Sequence, residues 1–113
     1  MKTILFLLLI PFLMYGDYKE LLFNGNCVTC HSTNNLNKSA PTIIEIQKSY
    51  KNVFPNKKEF IEYMTTWVYN PKVETSIMSD SINKYSLMPN LAYDKDTLKE
   101  ISTYIYEKDF TKQ

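Results

Sequence analysis

The chain contains no arginine, a single histidine, two cysteines and two glycines in 113 residues. Each scarcity removes a class of function. Without arginine there is no planar fork for bidentate clamping of phosphate or carboxylate, which argues against phosphoryl-transfer chemistry. Gly16 and Gly25 lie too far apart to build either the dinucleotide fingerprint or a P-loop, each of which needs several glycines in one short turn. Charge of one sign is also missing: 13 basic residues, all lysine, stand against 12 acidic ones, so the strong positive field of a nucleic-acid-binding domain is absent. What the chain has in quantity is aromatic surface, with nine Tyr, six Phe and one Trp. The length fits one domain.

The N-terminus reads as a processing signal. Lys2 is a short positive region, and Ile4 to Met14 is an apolar run broken only by Pro11. The run is about half the length that a helix needs to cross a bilayer. Residues 1–16 are therefore expected to be a secretory signal peptide, with cleavage after Gly16 and a periplasmic mature chain of residues 17–113. Met14 departs from the small residue usual two positions before the cut, and retention of the run as an uncleaved anchor is the alternative. The expectation is no stable membrane anchor, and loss of Lys2 leaves the mature chain close to neutral. Export would also place Cys27 and Cys30 where disulfides persist.

Four segments of the mature chain read as helical and none as a strand. Tyr18 to about His31 carries Tyr18, Leu21, Leu22 and Phe23 at helical spacing. Pro41 is expected at the first position of a second helix with Ile43, Ile44, Ile46 and Tyr50. Asn56 is an expected N-cap for a third, in which Phe60, Ile61, Met64, Trp67 and Val68 share a face. Pro71 ends it. Asp94 or Asp96 caps the last, with Leu98, Ile101 and Ile105 as its apolar stripe. Between the third and fourth, Asn70 to Tyr93 has little periodicity, and a loop of that length usually has a function or wraps a ligand. So few residues in short helices make a marginal core, which a bound cofactor would reinforce.

Cys27-Val28-Thr29-Cys30-His31 is the C-x-x-C-H pattern of covalent c-type haem attachment. On a helical turn, residues i, i+3 and i+4 project from one face, so two thiols can reach the two vinyl groups along one porphyrin edge while the histidine lies beneath the iron. The pattern uses both cysteines and the sole histidine of the chain. Three other readings compete, and the simplest, His31 as an ordinary hydrogen-bonded side chain, is disfavoured by its adjacency to Cys30. A C-x-x-C pair in an oxidising compartment can be a thiol-exchange site, although the thioredoxin-like setting requires strands that this sequence does not show. Zinc would lack a fourth ligand and a second ligand pair. If haem is bound, the second axial ligand cannot be a histidine of the same chain, and methionine is next. Met64 falls on the apolar stripe of the third helix, where core filling is the better reading. Met88 is favoured because Pro89 holds its backbone extended, with Met78 as the alternative.

These residues resemble a small mono-haem class I cytochrome c. Leu22-Phe23-Asn24-Gly25-Asn26 precede the motif, Ala40-Pro41 follows it, and Asn70-Pro71, Met88-Pro89 and a closing helix with Leu98, Ile101, Tyr104 and Ile105 complete the pattern. Ser32 and Ala40 stand where that family often has glycine. The resemblance implies an all-α, cytochrome c-like fold of about four short helices wrapped around one covalently attached haem c. It also implies first and last helices that cross near Phe23 and Tyr104, and a Pro41 carbonyl that accepts the ring N–H of His31. The expected function is one-electron transfer by an iron with His31 and Met88 as axial ligands: a carrier, not an enzyme, with no small-molecule substrate and no nucleic acid. Its partners would be redox donor and acceptor proteins of a respiratory or periplasmic chain, docking through lysines such as Lys48, Lys51, Lys57, Lys58 and Lys84. The alternative is a haem-free exported thiol-disulfide or interaction protein that uses the cysteine pair.

Overall fold

The computed structural model describes residues 18–34 and 39–112, so the expected signal peptide at 1–16 lies outside the described residues. Among the described residues the chain is all-helical, with five α-helices, one short 3-10 turn and no strand. The helices are α1 (Tyr18–Asn26), α2 (Ile43–Val53), α3 (Lys57–Tyr69), α4 (Ser79–Tyr85) and α5 (Lys95–Glu107), with the 3-10 turn at Val73–Thr75 between α3 and α4.

Three of the helices start on side-chain caps. Thr42 Oγ1 accepts from the Glu45 N–H at 3.2 Å, Asn56 Oδ1 from the Glu59 N–H at 3.2 Å, and Asp94 Oδ2 from the Thr97 N–H at 3.1 Å. Each cap satisfies a donor that the first helical turn leaves without a partner. Thr42 and Glu45 have capping-box spacing, and this moves the start of α2 two residues past Pro41. Pro41 is therefore not the first helical residue, and its carbonyl faces other partners. The segment expected to be irregular, Asn70–Tyr93, instead holds the 3-10 turn and α4. At seven residues, α4 is too short to display a period in sequence, and it buries no side chain fully.

α5 is the central element, packing most extensively on α3 and then on α1. Leu98, Ile101, Ser102 and Ile105 are its buried positions, so the stripe read from the sequence is the packed face. Phe23 of α1 lies 5.4 Å, ring centre to ring centre, from both Tyr104 and Phe110. Tyr104 and Phe110 meet edge-on at 5.9 Å. This aromatic trio fixes how α1 crosses α5, and such tilted ring pairs add about 0.5–1.5 kcal/mol each beyond burial. Gln47 of α2 donates through Nε2 to the carbonyls of Ile105 and Lys108, both at 2.7 Å, and so ties α2 to the end of α5. Phe60, Ile61, Met64 and Tyr50 complete the core on the other side of α5.

Candidate functional site

The motif residues sit on one turn directly after α1. The Cys27 N–H donates to the Phe23 carbonyl at 2.8 Å, and the His31 N–H donates back to the Cys27 carbonyl at the same distance. This i to i+4 closure is one further helical turn, and it places Cys27, Cys30 and His31 within a single revolution of backbone. Cys27 is half-buried, Cys30 is exposed, and neither thiol is in a disulfide. Burial, and then the neighbouring Cys30, push the Cys27 thiol up to about 11. Cysteines that perform thiol exchange are activated in the opposite direction, towards the thiolate.

His31 is held by a long-range contact. Its Nδ1–H donates to the Pro41 carbonyl at 2.8 Å. The Ile43 N–H donates to the Ser32 carbonyl at 3.1 Å, pinning the start of α2 beside the histidine. Burial lowers the His31 pKa, and the Pro41 hydrogen bond only partly opposes this. The ring is therefore neutral at neutral pH with its proton on Nδ1, and Nε2 keeps a lone pair for coordination.

Behind this turn lies an apolar cleft with a volume of about 110 Å³, lined mainly by hydrophobic side chains as small-molecule and cofactor sites are. Cys27, His31 and Pro41 line it from one part of the chain, and Ile43, Ile46 and Tyr50 from α2. Trp67 and Val68 of α3 and Leu98, Ile101 and Ile105 of α5 form much of the remaining wall. Three methionines also reach it. Met64 is 3% exposed and part of the packed core, whereas Met78 and Met88 are half-buried on the α4 side.

No protein-family model, curated protein or solved structure matches this chain. The assignment of the site therefore rests on its own chemistry. The residues fit a haem on three counts: paired thiols on one turn, a neutral imidazole with an available nitrogen, and an apolar cleft that thioether side chains also line. They fit zinc poorly. Among the described residues no group of three or more His, Cys, Asp or Glu side chains converges to hold a metal ion.

Trp67 donates its indole N–H to the Lys72 carbonyl at 3.0 Å, so that group is engaged by the chain itself. Lys57 binds Glu107 at 2.8 Å, and the Lys51 ammonium lies 4.7 Å from the centre of the Tyr106 ring. The Lys84 ammonium lies 5.1 Å from the centre of the Tyr85 ring, so three lysines considered for docking have partners within the molecule. Two features of the cleft were not legible in sequence. One is the buried hydroxyl pair in which Thr65 donates to Ser102 at 3.2 Å. The other is a hydrogen bond from the Tyr93 hydroxyl to Asn26 Oδ1 at 2.7 Å. Both join residues far apart in the chain, and no local spacing signals such pairs.

Proposed function

We propose that this chain is an exported electron-transfer protein with a cytochrome c-like fold, carrying one covalent haem c in the apolar cleft. The observation that carries the reading is the placement of Cys27, Cys30 and His31 on one turn, with Cys27 and His31 lining a cleft that Met88 and Met78 also line. In attachment, each thiol would add across one vinyl group, so that S–C and C–H bonds replace an S–H bond and a C=C π bond. Bound haem supplies a one-electron ferrous/ferric couple.

The chain's own residues do the rest. Cys27 and Cys30 tether the group, and the His31 Nε2 is the proximal donor, oriented by the Pro41 carbonyl in the way outer partners orient metal-bound imidazoles. A methionine, Met88 by preference over Met78, is the distal donor. With His31 and a methionine both donating to it, the iron would have no place left for a substrate, and the protein would be a carrier whose partners are redox proteins. A thioether donor and an apolar surround both favour the reduced state relative to bis-imidazole ligation in water.

The test is a reduced pyridine haemochrome spectrum, together with the intact mass, of protein expressed in a periplasm with a working haem-attachment system. The expected mass is that of the processed chain, beginning near Asp17, plus one haem. The mass of the bare chain would instead leave the haem-free thiol or interaction reading.

A further inference from the structure

The loop that joins α4 to α5 carries Met88, and it is held in an unusual way. Among the described residues, Leu87 to Leu91 take part in no backbone–backbone hydrogen bond. Both flanks of the loop hold strained backbone. Ser86 has φ 76° and ψ 171°, a region almost reserved for glycine, and Ala92 has φ 62°. Such geometry persists only where the surroundings impose it. Local support is slight: the Ala92 N–H donates to the Asn90 side chain at 2.8 Å, a contact internal to the loop.

The tie to the rest of the fold comes directly after Ala92. The Tyr93 hydroxyl donates to Asn26 Oδ1 at 2.7 Å, across 67 residues of sequence. Asn26 is itself anchored, because its Nδ2 donates to the Leu22 carbonyl at 2.7 Å. It is also the residue before Cys27, at the edge of the attachment turn, and Tyr93 forms part of the cleft wall. A partly buried hydrogen bond of this kind is stronger than one in water.

We propose that the Tyr93–Asn26 hydrogen bond is a clasp that holds the Met88 loop shut over the cleft. Tyr93 and Asn26 are thus positioning residues for the distal ligand, and this role rests on the haem reading above. Opening the loop would relax Ser86 and Ala92 and break no backbone ladder, so the clasp has little else to assist it. Once released, the loop would give small neutral ligands access to the distal position.

The haem-loaded Tyr93→Phe variant tests this, since it keeps the ring in the cleft wall and removes only the hydroxyl. Imidazole titrated into the ferric protein, followed by loss of the sulfur-to-iron charge-transfer band, should bind about fivefold more tightly than to wild type, the scale of one lost hydrogen bond. Amide hydrogen exchange of Ser86 and Ala92, whose N–H groups donate to the Ile82 carbonyl and the Asn90 side chain, should quicken, while α1, α3 and α5 stay protected. Asn26→Ala should give the same rise in imidazole affinity, and the double variant no further rise. Haem-loaded Tyr93→Phe with wild-type imidazole affinity overturns the clasp alone, as does exchange that quickens equally in the loop and α5. A wild-type chain that carries no haem would remove the haem reading and, with it, any distal ligand for the clasp to hold.

Discussion

His31 and Pro41 are joined by a 2.8 Å hydrogen bond from the ring Nδ1–H to the backbone carbonyl, across ten residues of sequence. The carbonyl is available because Thr42, not Pro41, caps α2. One helix start therefore decides the orientation, the tautomer and the free nitrogen of the only histidine in the chain.

Thr42→Ala removes that cap. It should lower the unfolding free energy by about 1 kcal/mol in urea denaturation. It should also loosen the His31 ring, detectable as a broadened imidazole resonance in the diamagnetic ferrous protein. Lost stability with an unchanged His31 resonance would separate the cap from the histidine.

The three cleft methionines are distinguished by substitution. In the ferric protein the sulfur-to-iron band should vanish in Met88→Ala, which should also bind carbon monoxide when reduced. It should survive in Met78→Ala and Met64→Ala. Met64 is 3% exposed, so its truncation should instead cost about 2–5 kcal/mol of stability. Survival of the band in Met88→Ala with its loss in Met78→Ala would transfer the distal role to Met78.

Ser86→Gly should be stabilising. A non-glycine residue in this backbone region costs on the order of 1–3 kcal/mol, and the greater freedom of glycine in the unfolded chain offsets about 0.5–1 kcal/mol of that relief. A net gain of about 1 kcal/mol in thermal or urea unfolding is expected. A loss of stability would mean that the strain at Ser86 is compensated by contacts of its side chain.

Glu107 supplies a small pH dependence. Its hydrogen bond from Lys57, and the charge of Lys19 nearby, hold its carboxyl below the usual range. A depressed folded-state pKa gives a contribution that is present above the unfolded value and lost as pH falls through the folded one. The group is largely solvated, so Glu107→Gln should cost no more than about 0.5 kcal/mol at pH 7, less at high salt, and nothing once the carboxyl is protonated. A salt-independent loss of several times that size would point to packing.

Phe23 and Phe110 should each cost about 3–5 kcal/mol on truncation to Ala, measured by denaturation, because together with Tyr104 they set the crossing of α1 on α5. Since α1 leads straight into the Cys27 turn, Phe23→Ala should also lower haem incorporation.

The Cys27–His31 turn was legible because its spacing is local: residues at i, i+3 and i+4 need only one helical turn to share one stretch of backbone. The same holds for α3 and α5, whose apolar stripes repeat over enough residues to show a period, and for the Asn56 and Asp94 caps, which act within three residues. The helix α4 escaped notice because seven residues hold too few turns for periodicity to emerge. Phe110 escaped because it lies past the end of α5 and joins the core through contacts that include the distant Phe23.

By itself the sequence determined the helical class, the main packed faces and the spacing of the Cys27–His31 motif, since each depends on spacing along a few turns of chain. Tertiary structure alone decided that Met78 and Met88 line one cleft with His31 and that Tyr93 reaches Asn26. Those relationships join segments tens of residues apart, and only the packing of α1 and α3 against α5 brings them within contact distance.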